Sequence, residues 1–105
     1  MDDDPTLEDW IAELRSGKYA QGKSSLYDLD RDTYCCLGVL GSLCGLLKDQ
    51  MEQEAYLYDS IWGRLIRKWD ISRELYQDHL ASMNDDGHSF EEIADYLEEL
   101  PRCQS

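Results

Sequence analysis

Tyr34-Cys35-Cys36-Leu37-Gly38-Val39-Leu40-Gly41-Ser42-Leu43-Cys44-Gly45-Leu46-Leu47 is the one long run of this acidic chain without a charged residue. It falls short of the roughly 20 apolar residues that a membrane-spanning helix needs. The stretch therefore predicts a helix buried on most of its sides, at the centre of the core. Leu37, Leu40, Cys44 and Leu47 recur at three- and four-residue steps. Gly38, Gly41 and Gly45 also recur at helical spacing, a seam along which another backbone can come close. Each glycine costs a helix interior about 1 kcal/mol relative to alanine, so close packing is expected to offset them.

The flanking sequence reads as further helices. Thr6 is placed to cap a helix, with Asp9 as its capping-box partner. Leu7, Trp10, Ile11 and Leu14 give its buried stripe, and Ser16-Gly17 ends it. Between Lys18 and Thr33 the helical period disappears, Gly22-Lys23-Ser24-Ser25 is turn-like, and either a short hairpin or an ordered loop is expected. The central helix should fray near Lys48-Asp49-Gln50. Tyr56, Leu57, Tyr58 and Ile61 are β-type residues, but Trp62, Leu65, Ile66 and Trp69 fit the helical period despite Gly63. From about Ser72 a helix carries Leu75, His79, Leu80 and Met83 on one side and stops at Asn84-Asp85-Asp86-Gly87. Ser89-Phe90-Glu91-Glu92 is an S-x-x-E capping box. Phe90, Ile93, Ala94, Leu97 and Leu100 follow on one face until Pro101. The expected fold is mainly α: a single small domain of four to five helices around the Cys/Gly/Leu-rich central helix, with that hairpin or loop beside it. Residues 1–5 read as an acidic flexible start, 6–101 as the globular domain and 102–105 as a tail.

At 105 residues and 42% hydrophobic content, the chain can bury one modest core. A net charge of −13 exceeds the magnitude of about 2–8 usual for a small soluble domain. That surplus repels nucleic acid and anionic membrane surfaces, so neither is expected as a direct partner. Cys35, Cys36, Cys44 and Cys103 could suggest disulfides. The start Met1-Asp2-Asp3-Asp4 has no secretory pattern, and three of the thiols lie in the apolar run, so reduced cysteines and a cytoplasmic setting are expected.

Few constellations carry chemistry, and no cofactor is expected. Cys35 and Cys36 stand at the start of the central helix, where the helix dipole can favour thiolate. Paired with His79 or His88 they would give a small cysteine-dependent enzyme, the alternative functional class. Asp28, Asp30 and Asp32 open like a calcium loop, but Thr33 and Val39 occupy the places that need glycine and glutamate. A nucleotide or small-ligand site built from the glycine loop and Arg64, Arg67, Lys68 and Arg73 is a further alternative. The most prominent pattern is charge. Glu91, Glu92, Asp95, Glu98 and Glu99 cover the outer face of the last helix, and Asp2, Asp3, Asp4, Glu8, Asp9 and Glu13 do so for the first. Carboxylates three or four positions apart lie about 5–6 Å apart at Cβ, a row that can imitate a phosphate backbone.

Several pieces in order carry a resemblance: Trp10-Ile11, Leu14-Arg15-Ser16-Gly17-Lys18-Tyr19, Gln21-Gly22, Tyr34-Cys35-Cys36-Leu37-Gly38-Val39-Leu40, Leu80, Met83-Asn84-Asp85 and Ser89-Phe90-Glu91-Glu92-Ile93-Ala94. The chain resembles a group of small uncharacterised proteins of tailed bacteriophages and prophages; residues 48–78 match poorly. The resemblance implies a phage setting, in which small acidic accessory proteins are often inhibitors of host defence. The expectation is a non-enzymatic inhibitor of the anti-CRISPR kind that binds a CRISPR effector or another host nucleic-acid-processing complex. Its partner-binding residues would be Glu91, Glu92, Asp95, Glu98 and Glu99, with Asp2, Asp3 and Asp4 secondary. An aromatic patch of Tyr56, Tyr58 and Trp62 is the nearest variant of that expectation.

Overall fold

The computed structural model describes residues 4–52, 54–69 and 75–100. In chain order these form α1 (Leu7–Arg15), β1 (Tyr27–Asp28), β2 (Thr33–Tyr34), α2 (Cys36–Leu43), α3 (Lys48–Met51), α4 (Asp59–Trp69), α5 (Gln77–Asp85) and α6 (Phe90–Glu98). The fold is mainly helical with one small antiparallel ribbon, as the sequence predicts.

The apolar run does form the central helix. Cys36, Leu37, Gly38, Val39, Leu40 and Gly41 of α2 are all buried. A Cβ on Gly38 would overlap the Leu26 carbonyl oxygen, so the chain entering β1 crosses directly over the helix. One on Gly41 would stand 2.7 Å from the Met51 sulfur. The helix is shorter than expected. Gly45 has φ +91° and turns the chain away after Cys44, so it is a C-terminal turn residue and not part of the seam. Leu47 is correspondingly exposed, and Lys48–Met51 is a separate turn of helix.

Trp10 joins α1 to this centre. It is fully buried and its indole N–H donates to the Cys36 carbonyl at 3.0 Å. Its ring stacks on Trp69 at 5.8 Å and meets the edge of Trp62 at 6.4 Å, which brings in α4. The second indole, Trp69, donates to the Pro5 carbonyl at 3.0 Å. Residues 4 and 5 are therefore held against α4, although they were expected within a loose start. Leu7, Trp10, Ile11 and Leu14 form the buried stripe as read, and the Thr6–Asp9 capping box is present. The α1 helix packs across α6 and α2, while α5 lies against α2 on another side.

The segment before α2 is held by backbone bonds and tyrosines. Tyr27 pairs with Tyr34 and Asp28 with Thr33 across the ribbon. Tyr34 also bonds through its backbone to Ala20 and Gly22, at 2.8 and 2.7 Å. The Asp28-x-Asp30-x-Asp32 turn uses its own carboxylates: Asp28 accepts the Asp30 N–H at 3.1 Å, and Asp32 accepts the Tyr27 hydroxyl at 2.6 Å.

In α5, Leu80 is buried, but His79 is exposed and lies beside the Tyr96 ring at 5.3 Å, so it does not belong to the apolar side. The helix begins at Gln77; the expected start at Ser72 lies outside the described residues, as do Pro101 and the tail 102–105. Gly87, with φ +104°, makes the turn into α6, whose Ser89–Glu92 capping box forms as predicted.

Two glycine substitutions separate packing from helix propensity. Gly38→Ala forces the Leu26 backbone away and should cost about 1–3 kcal/mol or more. Gly63→Ala meets only the Arg67 guanidinium at 3.5 Å and should stabilise by about 0.5–1 kcal/mol. Urea unfolding of both variants checks the opposite signs.

Candidate functional site

Glu91, Asp95 and Glu98 recur at i, i+4 and i+7, so they form one stripe along α6. Among the described residues the structure brings a single cation to that stripe. Arg15, in the last turn of α1, bonds Glu98 at 3.1 Å, makes a close pair with Asp95 and approaches Glu91 at 3.6 Å. Hydrogen bonds donated to Glu98 and Asp95 hold the guanidinium well above its ordinary pKa. The three carboxylates remain over half exposed. Glu92 lies off this stripe, accepts the Ser89 N–H at 2.9 Å and stands 3.8 Å from His88 Nδ1. Glu99 is exposed at the C-cap of α6. Three carboxylates of α6 thus gather on one guanidinium, and Glu92 and Glu99 stand apart from it. Beside it, Glu8, Ile11, Ala12, Arg15 and Glu98 line an open hollow of about 380 Å³ between α1 and α6.

Of the amino-terminal acids, Asp4 does not extend this face. Asp2 and Asp3 lie outside the described residues. Asp4 is only 17% exposed and forms a two-pronged pair with Arg64 at 2.7 and 2.9 Å, with Lys68 at 3.8 Å. The hydrogen bond from Arg64 holds its carboxyl below the ordinary range, outweighing desolvation. Asp4 is thus a structural partner of α4, and a secondary docking role for it does not fit this geometry. The same pair occupies Arg64 and Lys68 of the basic cluster; Arg73 lies outside the described residues.

The cysteines sit in poor surroundings for a nucleophile. Burial pushes the Cys35 thiol up to about 11 and Cys36 well above its ordinary value, outweighing the backbone amides around them. Cys36 Sγ donates to the Leu80 carbonyl at 3.6 Å. Burial likewise pushes Cys44 up to about 11. Among the described residues neither histidine meets a thiol: His79 lies against Tyr96 and His88 beside Glu92.

Three residues that organise these surfaces went unread in the sequence. Asn84 is fully buried; its Oδ1 accepts from Cys36 N–H and Gln21 Nε2, at 3.2 and 2.9 Å, and its amide donates to the Gly22 carbonyl at 2.6 Å. Gln77 holds both backbone groups of Leu57, at 2.8 and 3.2 Å. Arg15 had a readable signal, since it is the basic residue at the end of a helix whose charge complements a spaced acidic stripe.

The sequence pattern of a family described as a domain of unknown function (DUF8296) matches residues 4–62, more than half of the chain. The protein belongs to that family. No curated protein and no solved structure matches it. Among the described residues no helix is long and apolar enough to cross a membrane.

Alkylation tests the thiol environment. In native protein at pH 8, Cys35 and Cys36 should react with iodoacetamide far more slowly than a free thiol, because both are buried and neither is ionised there. Mass spectrometry before and after denaturation reads this directly. A second expectation concerns Asp4, whose folded pKa lies below its unfolded one. Its contribution to stability is present above the ordinary carboxylate range and is lost as pH falls through the lowered folded value. The difference in thermal midpoint between wild type and Asp4→Asn should therefore shrink between pH 7 and pH 3.

Proposed function

We propose that this protein is a phage-encoded, non-enzymatic inhibitor of a host defence system. It binds a nucleic-acid-processing complex, such as a CRISPR effector, in the host cytoplasm and occupies its Lys/Arg-lined groove with the α6 face. The observation that carries this reading is the stripe of Glu91, Asp95 and Glu98 gathered on Arg15. Carboxylates held by a shared guanidinium are ordered before binding, which lowers the entropy lost on docking. Glu92 and Glu99 add charge to the same helix. The surplus of 23 acidic over 10 basic residues steers such a face towards a basic groove and away from nucleic acid itself. The resemblance to phage proteins supplies the setting.

The test uses tagged protein and lysate of a defence-competent host. A nucleic-acid-handling complex should be retained at low salt and released by added DNA or by high salt, which screens exposed charges. Neutralising Glu91, Glu98 and Glu99 together to glutamine should weaken its binding by about tenfold, while the thermal midpoint stays within a few degrees. Retention that is indifferent to salt, DNA and the triple substitution would remove the α6 face from the account.

A further inference from the structure

A second surface lies between the start of α4 and the start of α5. Tyr56, Trp62 and Tyr76 line a cleft of about 240 Å³ with Asp59, Gln77 and Asp78. Its construction follows from one clamp. Gln77 accepts the Leu57 N–H and donates to the Leu57 carbonyl, pinning the extended chain before α4 to the first turn of α5. Leu57 is buried by this arrangement, and the residues on either side of it turn outward, Tyr56 to 43% exposure and Tyr58 to 49%. Tyr76, the residue before Gln77, is 58% exposed and comes to the cleft from the other side. Trp62 is half-buried with its ring edge-on to Trp10, so the core fixes its position. Exposed aromatic rings at fixed positions around a hollow are unusual for a surface that only meets water.

The described charged residues at this cleft are of one sign. Among the described residues Asp59 and Asp78 line it, and neither Lys nor Arg does. The Asp78 carboxylate beside Tyr56 raises the phenol's pKa. Aromatic faces carry negative electrostatic potential, and rings combined with carboxylates select an organic cation over a neutral or anionic group. The protein's overall charge reinforces that choice.

We propose that the Tyr56–Trp62–Tyr76 cleft receives a cationic side chain, Arg or Lys, of a basic partner protein. The cation stacks against the rings while Asp59 and Asp78 complete its charge. This contact is separate from the α6 stripe, and either can fail without the other.

The experiment uses the full chain and two synthetic peptides, identical except for a single arginine or its neutral isostere citrulline. Two-dimensional NMR with labelled tyrosine and tryptophan rings follows the titration. The arginine peptide should shift the Tyr56, Trp62 and Tyr76 signals saturably, and the citrulline peptide should not. Tyr76→Ala, at an exposed position, and Asp78→Asn should each weaken the arginine peptide by about three- to fivefold with unchanged folding. Equal shifts from both peptides would overturn the cationic site. Shifts confined to α6 would also overturn it, while leaving the α6 reading intact. Pull-down that the α6 triple substitution leaves unchanged, beside intact peptide shifts, would instead sink the α6 reading alone.

Discussion

The peptide of Cys36 is the point from which the fold is held. Its N–H is donated to the Asn84 side chain and its carbonyl accepts the Trp10 indole. Helix starts leave amides without intrahelical partners, and burying one unpaired costs about 1–3 kcal/mol. Cys35, the residue at the cap, supplies no side-chain hydrogen bond. Asn84 therefore acts as a cap from 48 positions away. The same amide side chain engages Gln21 and Gly22, and Gln21 in turn bonds the Phe90 N–H and the His88 carbonyl. One buried asparagine thus sets where the loop before the ribbon, the central helix and the α5–α6 turn meet.

This division explains what could be read in the sequence. The Thr6–Asp9 and Ser89–Glu92 boxes, the stripe of α1 and the apolar face of α6 are local patterns, and each appears where the spacing puts it. Gly87 is likewise a local turn requirement. Asn84 was hidden because Asn-Asp-Asp-Gly has the composition of an exposed turn, and nothing nearby marks its first residue as buried. Gly45 shares a helical spacing with Gly38 and Gly41, yet positive φ, which periodicity cannot show, takes it out of the helix. His79 has the right spacing for the apolar side but is exposed beside Tyr96.

The candidate surfaces were legible to a similar degree. The acidic stripe on α6 was readable because helical spacing alone aligns its members. Arg15 joins it only through the packing of α1 on α6, and Asp4 leaves the acidic set only through its pairing with α4. Both outcomes obey the same electrostatics. Arg15, Lys48 and Arg64 each find carboxylates within the fold, so these cations tie elements together and do little to neutralise the protein's wider field. The aromatic cleft needed knowledge of the Leu57–Gln77 clamp, a pairing of residues 20 positions apart that mimics a strand partner.

The placement of Asn84 also bears on how the chain assembles. The family-matched region ends at residue 62, before α5 and α6. Yet α2 is capped from α5, and α1 rests on α6. The matched region by itself lacks the Asn84 bond to the first turn of α2 and the helix that covers α1 on its α6 side. The core therefore closes only when α5 and α6 dock, through contacts between residues far apart in sequence. The family-matched part and the helices after it thus share one core.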